Sequence, residues 1–424
     1  MAAAGCAKSS NQAKSTTHTH RCQSEARAAF GNADVFVEQI MPLARHIEVQ
    51  IAGDASGCIV HLGERECSIQ RRHQKLIEVA PAPHLASGLR ERLTQAAVRM
   101  AETAHYQNLG TFEFLVEVDA DTENAAFAFI EANPRLQVEH TVTEAVSGLD
   151  LVKLQLQLAG GCSLADVELA SDGHSERGAA MQLRINMETM AADGTAKPAD
   201  GTLKVFDPPS GPGIRVDTFG YSGFTPSIRF DSLLAKLIVH SPDEDFSTLV
   251  RKTYRALCEF RIEGVPTNLG FLQNLLASRN FVKQKLHTRF IDEHIGELTS
   301  TGNSQHPRLF FEIVPQSPDI RGNRLAGVKV DSTDPLAVLN LGKSSRPEPA
   351  NPTAHALSVA SIEGPESTVP VAAPIQGTIV SIEVREGDPV RIGQQLLVME
   401  AMKMEHVISA HVSGTVRRIR VTVG

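Results

Sequence analysis

A repeat near the C-terminal end of this 424-residue chain limits its fold more than any other feature. Residues 373–387 recur in similar form at 410–424, so that Gly377 aligns with Gly414 and the aliphatic positions that follow alternate in step. Such a repeat predicts two half-sheets related by a pseudo-twofold axis. Lys403, flanked by two methionines, lies between the copies, where a tight turn is expected to join them. The repeat therefore predicts a small all-β domain that displays one lysine; the alternative is an ordinary hairpin with a solvated lysine.

The composition excludes several classes of protein. A hydrophobic content of 42% and a charged content of 21% are typical of a globular protein. The net charge of −8 is spread along the chain and provides no basic patch for nucleic acid, and no apolar run is long enough to cross a membrane. The six cysteines form no CxxC pair, which indicates reduced thiols. We therefore expect a cytoplasmic protein, or one of the mitochondrial matrix, without nucleic acid or membrane partners.

Changes in composition and patterning divide the chain into segments. Two middle segments alternate strand-like runs with helical stretches, whereas a later segment rich in Pro, Ser, Ala and Glu is typical of a flexible linker that lets a tethered carrier reach a distant site. The predicted segments are a disordered tail (1–22), two α+β segments (23–161 and 162–296), an unassigned connector (297–341), the linker (342–368) and the repeat domain (369–424).

Hydrophobic periodicity predicts the regular elements of the two α+β segments. Predicted strands span 46–51, 181–187 and 201–206. Predicted helices span 89–100, 143–159, 246–260 and 267–277.

Polar and apolar positions alternate along residues 131–139. In an extended segment, period-two geometry places every second side chain on the same face. Pro134 argues against a regular central strand, so the second half is predicted to run from a strand end into a loop. The polar side chains of this segment are Glu131, Asn133, Arg135, Gln137 and Glu139.

Glu113 is a further carboxylate in an apolar frame, shortly before this segment. Together with Glu131 and the amide oxygen of Asn133, it forms a set of hard ligands suited to Mg²⁺ or Mn²⁺ held mainly by nucleotide phosphates. The alternative is a solvated strand face with ion pairs, and alternation alone favours that alternative.

Four motifs in colinear order favour the metal site over the solvated strand face. They lie at 46–50, 64–75, 110–114 and 133–140, within a match that runs over residues 24–294, and they resemble biotin carboxylase. The repeat around Lys403 resembles the biotinyl domain of biotin-dependent carboxylases. The resemblance implies an α+β fold, with an ATP-grasp core, a biotin carboxylase C-terminal domain and a partial all-β biotinyl (hammerhead) domain.

The resemblance also implies roles for individual residues, beginning with Lys403 as the carrier of covalent biotin. The metal ligands that bridge the ATP phosphates would be Glu113, Glu131 and Asn133. The nucleotide positions would be Glu38, His46, Gln70 and His73. The bicarbonate pocket would be formed by Lys75, Arg135, Gln137 and Val138. Glu139 would be the general base, and Arg215 would stabilise the biotin enolate.

The implied function is ATP-dependent carboxylation of biotin by bicarbonate, as part of an acyl-CoA, pyruvate or urea carboxylase. The implied partners are bicarbonate, a biotin protein ligase, a carboxyltransferase domain or subunit, and further copies of the chain in a homo-oligomer.

Two departures from the family pattern leave other interpretations open. No glycine-rich lid loop or phosphate-binding lysine pattern precedes Gly31, and the second copy of the repeat ends at Gly424, so we expect a chain cut at both ends. One alternative is therefore a catalytically defective fragment that acts only as a carrier or assembly partner. Another is a different ATP-grasp ligase, such as a relative of carbamoyl-phosphate synthase, which would give Lys403 no role.

Overall fold

The structure, a computed structural model, describes most of the chain in two compact units. The first unit is built mainly from residues up to Phe310, and the second mainly from residues beyond it. No helix in the described part of the chain is both long and apolar enough to cross a membrane. The described residues are 19–299, 306–310 and 368–424, apart from 21, 25, 28–30, 38, 42, 119–122, 170–176, 192–193, 228–230, 244, 284–285, 374–376 and 402–403.

An eight-stranded antiparallel sheet organises the first unit. The strands of this unit are β1 (Ala44–Gly53), β2 (Ile59–Arg71), β3 (Gln74–Ala80), β4 (Asn108–Glu117), β5 (Phe127–Asn133), β6 (Ala179–Asn186), β7 (Glu188–Met190), β8 (Ala196–Pro198), β9 (Val205–Asp207), β10 (Ile214–Thr218), β11 (Leu233–Ser241) and β12 (Arg261–Glu263). The order across the large sheet is β10-β11-β6-β3-β2-β1-β4-β5, while β7 pairs with β8 and β9 with β12.

Helices pack against this sheet. They are α1 (Ser87–Thr103), α2 (His140–Ser147), α3 (Leu151–Ala159), α4 (Phe246–Glu259), α5 (Leu269–Ala277), α6 (Arg279–Val282) and α7 (Phe290–Leu298). The amphipathic helix α4 begins at an N-cap, Asp245, whose side chain accepts hydrogen bonds from the backbone N–H groups of Ser247 and Thr248. Its apolar face joins the core that β6, β11 and α5 share.

Strand β1 is buried on both faces, and the two faces differ in chemistry. Ile47, Val49 and Ile51 belong to an apolar cluster that includes the buried face of α1. The side chains of alternate residues in a strand point to opposite faces, so His46, Glu48 and Gln50 lie on the other face. Helix α2 packs on β2, β3 and β6 and helps to cover that polar face. The sheet therefore encloses a layer of buried polar groups.

Most of the predicted elements are confirmed, and two are wrong in part. The predicted helix over 143–159 is two helices, α2 and α3, because Gly148 ends the first with a φ of +73° and Asp150 caps the second through the backbone N–H of Lys153. The predicted strand over 201–206 is extended only as β9, because the Leu203 and Lys204 N–H groups donate to two different segments. Both errors arise from local backbone geometry that hydrophobic periodicity does not report.

The second unit contains two small sheets. Its strands are β13 (Thr378–Ile382), β14 (Pro389–Val390), β15 (Gln395–Ala401), β16 (Met404–Ser409) and β17 (Gly414–Thr415). The order β13-β15-β16 forms one sheet and β14-β17 forms the other, so the aligned strands of the repeat, β13 and β17, lie in separate sheets. Strands β15 and β16 are neighbours in the first of these sheets, and Lys403, which is predicted to lie at a turn between the two copies of the repeat, is outside the described residues.

Candidate active site

Lys75 of β3 lies at the centre of a group of three carboxylates. Its Nζ is 2.6 Å from Glu48 Oε2, 2.6 Å from Glu139 Oε1 and 3.2 Å from Glu113 Oε1. Burial lowers the pKa of Lys75, but the neighbouring carboxylates raise it well above the ordinary value, so the ammonium group stays charged. The Lys75 ammonium group is thus a fixed positive charge between three carboxylates.

Glu139 lies where the loop after β5 enters α2. Its Oε1 accepts a hydrogen bond from Lys75, and its Oε2 accepts one from Arg184 Nη2 at 3.1 Å. Burial and the nearby Glu48 raise the pKa of Glu139. The positive charges of Lys75 and Arg184 lower this pKa by more, so the net pKa lies below the ordinary value. Glu139 is therefore ionised at neutral pH, which is the state that a general base needs.

The predicted metal ligands lie on two adjacent strands. Glu113 of β4 is directly opposite Glu131 of β5 in the sheet register. The Asn133 amide nitrogen donates to Glu113 Oε1 at 2.9 Å and to Glu131 Oε1 at 3.0 Å, and Gln137 Nε2 donates to Glu113 Oε1 at 2.8 Å. Burial raises the pKa of Glu113, but His46 and Lys75 bring it well below the ordinary range. The carboxylate oxygens of Glu113 and Glu131 are hard donors of the kind that Mg²⁺ or Mn²⁺ takes, whereas the Asn133 side chain presents its amide nitrogen to both carboxylates.

Two predicted nucleotide residues adjoin the Glu113 carboxylate. His46 Nε2 lies 2.7 Å from Glu113 Oε2. The Gln70 amide nitrogen contacts His46 Nδ1 and also donates to the backbone carbonyl of Cys67 at 2.8 Å. Gln70 therefore holds the imidazole from one side while the carboxylate lies on the other.

Glu48 and Arg65 are part of this site, although the sequence interpretation did not single them out. The Arg65 guanidinium is fully buried, pairs with Glu48, and donates to Gln50, Thr143 and Thr111 at 2.9, 2.9 and 3.2 Å. Burial raises the pKa of Glu48, but Arg65 and Lys75 lower it from 4.5 to about 2. The signal that could have found Glu48 is the alternation of polar residues along a strand that is buried on both faces.

Arg184 of β6 is a second residue that sequence reasoning missed. It donates to Glu139 and, through Nε, to Glu78 Oε1 at 2.7 Å. The predicted arginine, Arg215 of β10, pairs instead with Glu144 at 2.7 Å and with Asp217 at 2.7 and 2.9 Å. Strand β6 adjoins β3, which carries Lys75, whereas β10 is at the edge of the sheet beyond β11. The role of Arg215 stays a prediction, and Arg184 is the arginine that the fold brings to Glu139.

The odd-numbered side chains of 131–139 do not share one face, because the segment is a strand only as far as Asn133. The chain leaves β5 after Asn133, and Arg135 is exposed, with its Nη1 donating to the Leu136 carbonyl at 3.3 Å, whereas Gln137 and Glu139 are buried. The predicted change from strand to loop at Pro134 is confirmed. The reason is that a loop does not keep the period of two that a strand imposes.

The remaining predicted residues lie around the cluster or outside the described part of the chain. The Val138 carbonyl accepts a hydrogen bond from Lys236 Nζ at 3.2 Å. His73 is exposed in the turn between β2 and β3, with a φ of 64°. Glu38 and Lys403 are outside the described residues.

Comparison with protein families gives three matches along the chain. "Carbamoyl-phosphate synthase L chain, ATP binding domain" matches residues 3–167, a range that includes most of the predicted tail. "Biotin carboxylase C-terminal domain" matches residues 182–293, and "Biotin-requiring enzyme" matches residues 368–424. Two of the three families are named for biotin, which favours biotin carboxylase over other ATP-grasp ligases.

Curated relatives are longer than this chain. Human mitochondrial pyruvate carboxylase is 47% identical over 275 residues, which are 65% of this chain and 23% of that protein. A biotin carboxylase from Nostoc is 44% identical over 271 residues, which are 64% of this chain and 58% of that protein. The chain thus spans less than a quarter of the pyruvate carboxylase.

Solved structures agree with these matches. The biotin carboxylase domain of a single-chain bacterial carboxylase is 43% identical, with a TM-score of 0.58, covering 69% of this chain and 67% of that one. A single-chain, multi-domain long-chain acyl-CoA carboxylase is 36% identical, with a TM-score of 0.59, covering 99% of this chain and 36% of that one. The strands of the eight-stranded sheet and the polar cluster fall within, or at the border of, the residues that the first two family models match.

Proposed function

Because this chain belongs to the biotin-dependent carboxylase family, we propose that it carboxylates biotin with bicarbonate and ATP, and that Lys403 carries the biotin. The observation that carries this proposal is the position of Lys75, which contacts both the candidate base Glu139 and the candidate metal ligand Glu113. One cation thereby adjoins both the place where bicarbonate loses its proton and the place where the phosphates of ATP are held.

The first chemical step joins two anions, so it needs positive charge and a base. Lys75 binds bicarbonate, and Gln137, which is buried beside Glu113, orients it. Glu139 accepts the proton of bicarbonate as a bicarbonate oxygen attacks the γ-phosphorus of ATP. The products of this step are ADP and carboxyphosphate, which then separates into CO₂ and phosphate.

Arg184 supports the second step. Its guanidinium contacts Glu139 Oε2, so it places a second positive charge beside the first, where negative charge develops during transfer of the carboxyl group. The phosphate released from carboxyphosphate takes the ureido N–H proton of biotin, and the deprotonated nitrogen then attacks CO₂ to form the new N–C bond. Arg215, which is paired with Glu144 and Asp217, stays the proposed arginine for the biotin enolate, whereas Arg184, which is paired with Glu78 and Glu139, acts beside the base.

The carboxylates of Glu113 and Glu131 would hold the metal, with the amide oxygen of Asn133 as a third ligand in place of the N–H contacts that its side chain makes here. Mg²⁺ or Mn²⁺ bound there would neutralise charge on the ATP phosphates. The ordinary oxygen donors of these residues suit either ion.

The wider role follows from the relatives and is likewise proposed. A carboxyltransferase domain or subunit would pass the carboxyl group to an acyl-CoA, pyruvate or urea-type acceptor, a biotin protein ligase would modify Lys403, and the chain would act in a homo-oligomer. We propose a cytoplasmic location, with the mitochondrial matrix as the alternative. The comparisons offer no support for the alternative of a defective fragment that serves only as a carrier.

Release of ADP by the purified chain tests the proposed half-reaction. With Mg-ATP and free biotin, added bicarbonate should accelerate ADP release, and Glu139→Gln should lower that rate by about 100-fold or more, since general bases contribute on this scale. Glu64→Gln is the matched control. Glu64 lies on β2 of the same sheet, is buried and accepts a hydrogen bond from Arg90 of α1, but it is not a member of the Lys75 cluster. Equal rates with and without bicarbonate in a folded sample would refute the proposal.

Streptavidin blotting tests the carrier separately. Wild-type chain expressed with a biotin ligase should give a signal that Lys403→Arg abolishes. The same Lys403→Arg chain should keep its turnover of free biotin, because the lysine takes no part in the first half-reaction. A signal that persists in Lys403→Arg would place the biotin on another residue.

A further inference from the structure

We infer that Glu78 is a positioning residue that holds the Arg184 guanidinium beside Glu139; its effect on turnover rests on the proposed function. Glu78 lies on β3 and is fully buried. Its Oε1 accepts a hydrogen bond from Arg184 Nε at 2.7 Å and lies 2.6 Å from Arg184 Nη2. The contact of Arg184 with Glu139, through Nη2 alone at 3.1 Å, is longer. Arg184 is thus attached mainly to Glu78, and it reaches Glu139 from there.

Glu78 is itself held in place from two sides. In the sheet register it lies directly opposite Gln182 of β6, and Gln182 Nε2 donates to Glu78 Oε2 at 2.9 Å. The Thr141 hydroxyl of α2 donates in turn to the Gln182 amide oxygen. Both carboxylate oxygens of Glu78 are therefore occupied, and rotation of the carboxylate would break both contacts. Gln182 and Arg184 share one face of β6, so the same strand supplies the support and the supported residue.

The need for this support follows from what Glu139 is proposed to do. When Glu139 takes up the bicarbonate proton it loses its negative charge, and its hold on the guanidinium weakens. A flexible arginine side chain held only by the base would then be free to leave. Glu78 takes no proton in the proposed reaction, so it keeps Arg184 in place throughout the cycle.

A buried ion pair can also serve stability alone, and the chain contains a matched example. Glu188 is buried and forms two hydrogen bonds with Arg71, at 2.6 and 2.8 Å. Arg71 lies on β2 and Glu188 on β7, whereas Glu78 lies on β3 and Arg184 on β6, so both pairs join different strands of the same unit. In the described part of the chain, the side chains of Glu188 and Arg71 form no hydrogen bond or ion pair with Lys75 or Glu139. Glu188→Gln is therefore the control for loss of a buried glutamate–arginine pair.

The experiment compares four full-length chains: wild type, Glu78→Gln, Glu139→Gln and Glu188→Gln. With free biotin, Glu78→Gln should lower the kcat of bicarbonate-dependent ADP release by about tenfold to 100-fold, because a displaced charge next to the reacting atoms costs on this scale. Its KM for Mg-ATP should stay within about twofold of wild type, since Arg184 is not placed at the nucleotide. Glu188→Gln should keep the wild-type kcat. Equal kcat losses in Glu78→Gln and Glu188→Gln would overturn the inference.

A second measurement does not depend on turnover. In chains labelled with ¹⁵N-arginine, the Arg184 Nε–H resonance, identified by its loss in Arg184→Lys, should exchange slowly with solvent in wild type. It should stay slow in Glu139→Gln and become fast in Glu78→Gln, because the Nε–H donates to Glu78 and not to Glu139. Slow exchange in Glu78→Gln would overturn the inference. If wild type shows no bicarbonate-dependent turnover, the proposed function fails, and this comparison still decides the role of Glu78.

Glu78→Asp covers the case in which Glu78→Gln does not fold. The aspartate keeps the charge but draws the guanidinium back by the length of one methylene group. A folded Glu78→Asp chain should show a kcat between those of wild type and Arg184→Lys, with a slowly exchanging Nε–H. A wild-type kcat would contradict the positioning role, because the distance from Arg184 to Glu139 would then not matter.

Discussion

The two faces of β1 are equally buried but are built on opposite principles. On one face, Ile47 packs with its apolar neighbours and with α1, and many similar side chains could fill the same space. On the other face, Glu48 has named partners for both oxygens, Arg65 and Lys75. The comparison teaches that a step of one residue along a strand separates groups that stabilise the fold from groups that perform chemistry.

The energies of the two faces differ in the same way. Burying an aliphatic side chain stabilises the fold by about 1.5–3 kcal/mol. A buried ion pair gains little net stability, because desolvation of both charges offsets their attraction, but removal of one partner leaves the other charge uncompensated. The polar face is therefore expected to be more sensitive to single substitutions than to paired ones.

The largest effect should come from Arg65→Met. It removes the fully buried guanidinium that pairs with Glu48 and holds Gln50, Thr143 and Thr111, so the free energy of unfolding should fall by about 3–5 kcal/mol. Urea denaturation measures this loss. The double substitution Arg65→Met with Glu48→Met should recover part of it. A loss below about 1 kcal/mol in the single variant would show that the polar face is not tightly paired.

A smaller loss is expected on the apolar face. Ile47→Ala should lower the free energy of unfolding by about 2–5 kcal/mol, through lost burial and the cavity it leaves. The KM for Mg-ATP of the folded fraction should stay at the wild-type value, because Ile47 points away from the polar face. Val152→Ala, at an exposed position of α3, is the control and should change stability by less than about 0.5 kcal/mol. A changed KM in Ile47→Ala would show that the two faces are coupled.

The smallest expected effect is a loss of stability in acid that comes from the polar face. The folded-state pKa of Glu48 is about 2 against an ordinary value of 4.5, so its contribution is present above pH 4.5 and is lost as the pH falls toward 2. The full contribution is about 3 kcal/mol by linkage, of which only part is lost by pH 3.5. Urea midpoints measured from pH 6 to pH 3.5 should therefore fall. In Glu48→Gln the urea midpoint should change less with pH. An unchanged dependence on pH would show that Glu48 is not the group that causes the loss of stability.

The sequence predicted some residues of the polar face and missed others. The resemblance of the four motifs to biotin carboxylase was enough to single out the candidate metal ligands, Lys75 and Glu139, which the structure brings together. Glu48 was missed, because a polar residue in an alternating strand looks like a member of a solvated face until the layer above it is known. Burial of that layer depends on helix α2, which is far from β1 in sequence.

Arg184 was missed for a related reason. Arg184 and Arg215 both follow an aliphatic residue in a predicted or observed strand, and local sequence does not distinguish them. Only the order of the strands does so, because β6 pairs with β3 whereas β10 pairs with β11. Strand order depends on contacts between residues far apart in the chain, and one sequence by itself contains little information about such contacts.

The pairing of β3 with β6 also limits how the two family segments of this chain can recombine in evolution. Strands β1 to β5 fall in the segment that matches the ATP-binding family, whereas β6, β10 and β11 fall in or at the border of the C-terminal family match, yet one continuous sheet contains them all. A recombination event between the two matches would separate Glu78 from its cross-strand partner Gln182. A module exchanged between genes must therefore bring a strand that still pairs across this boundary for the shared sheet to form.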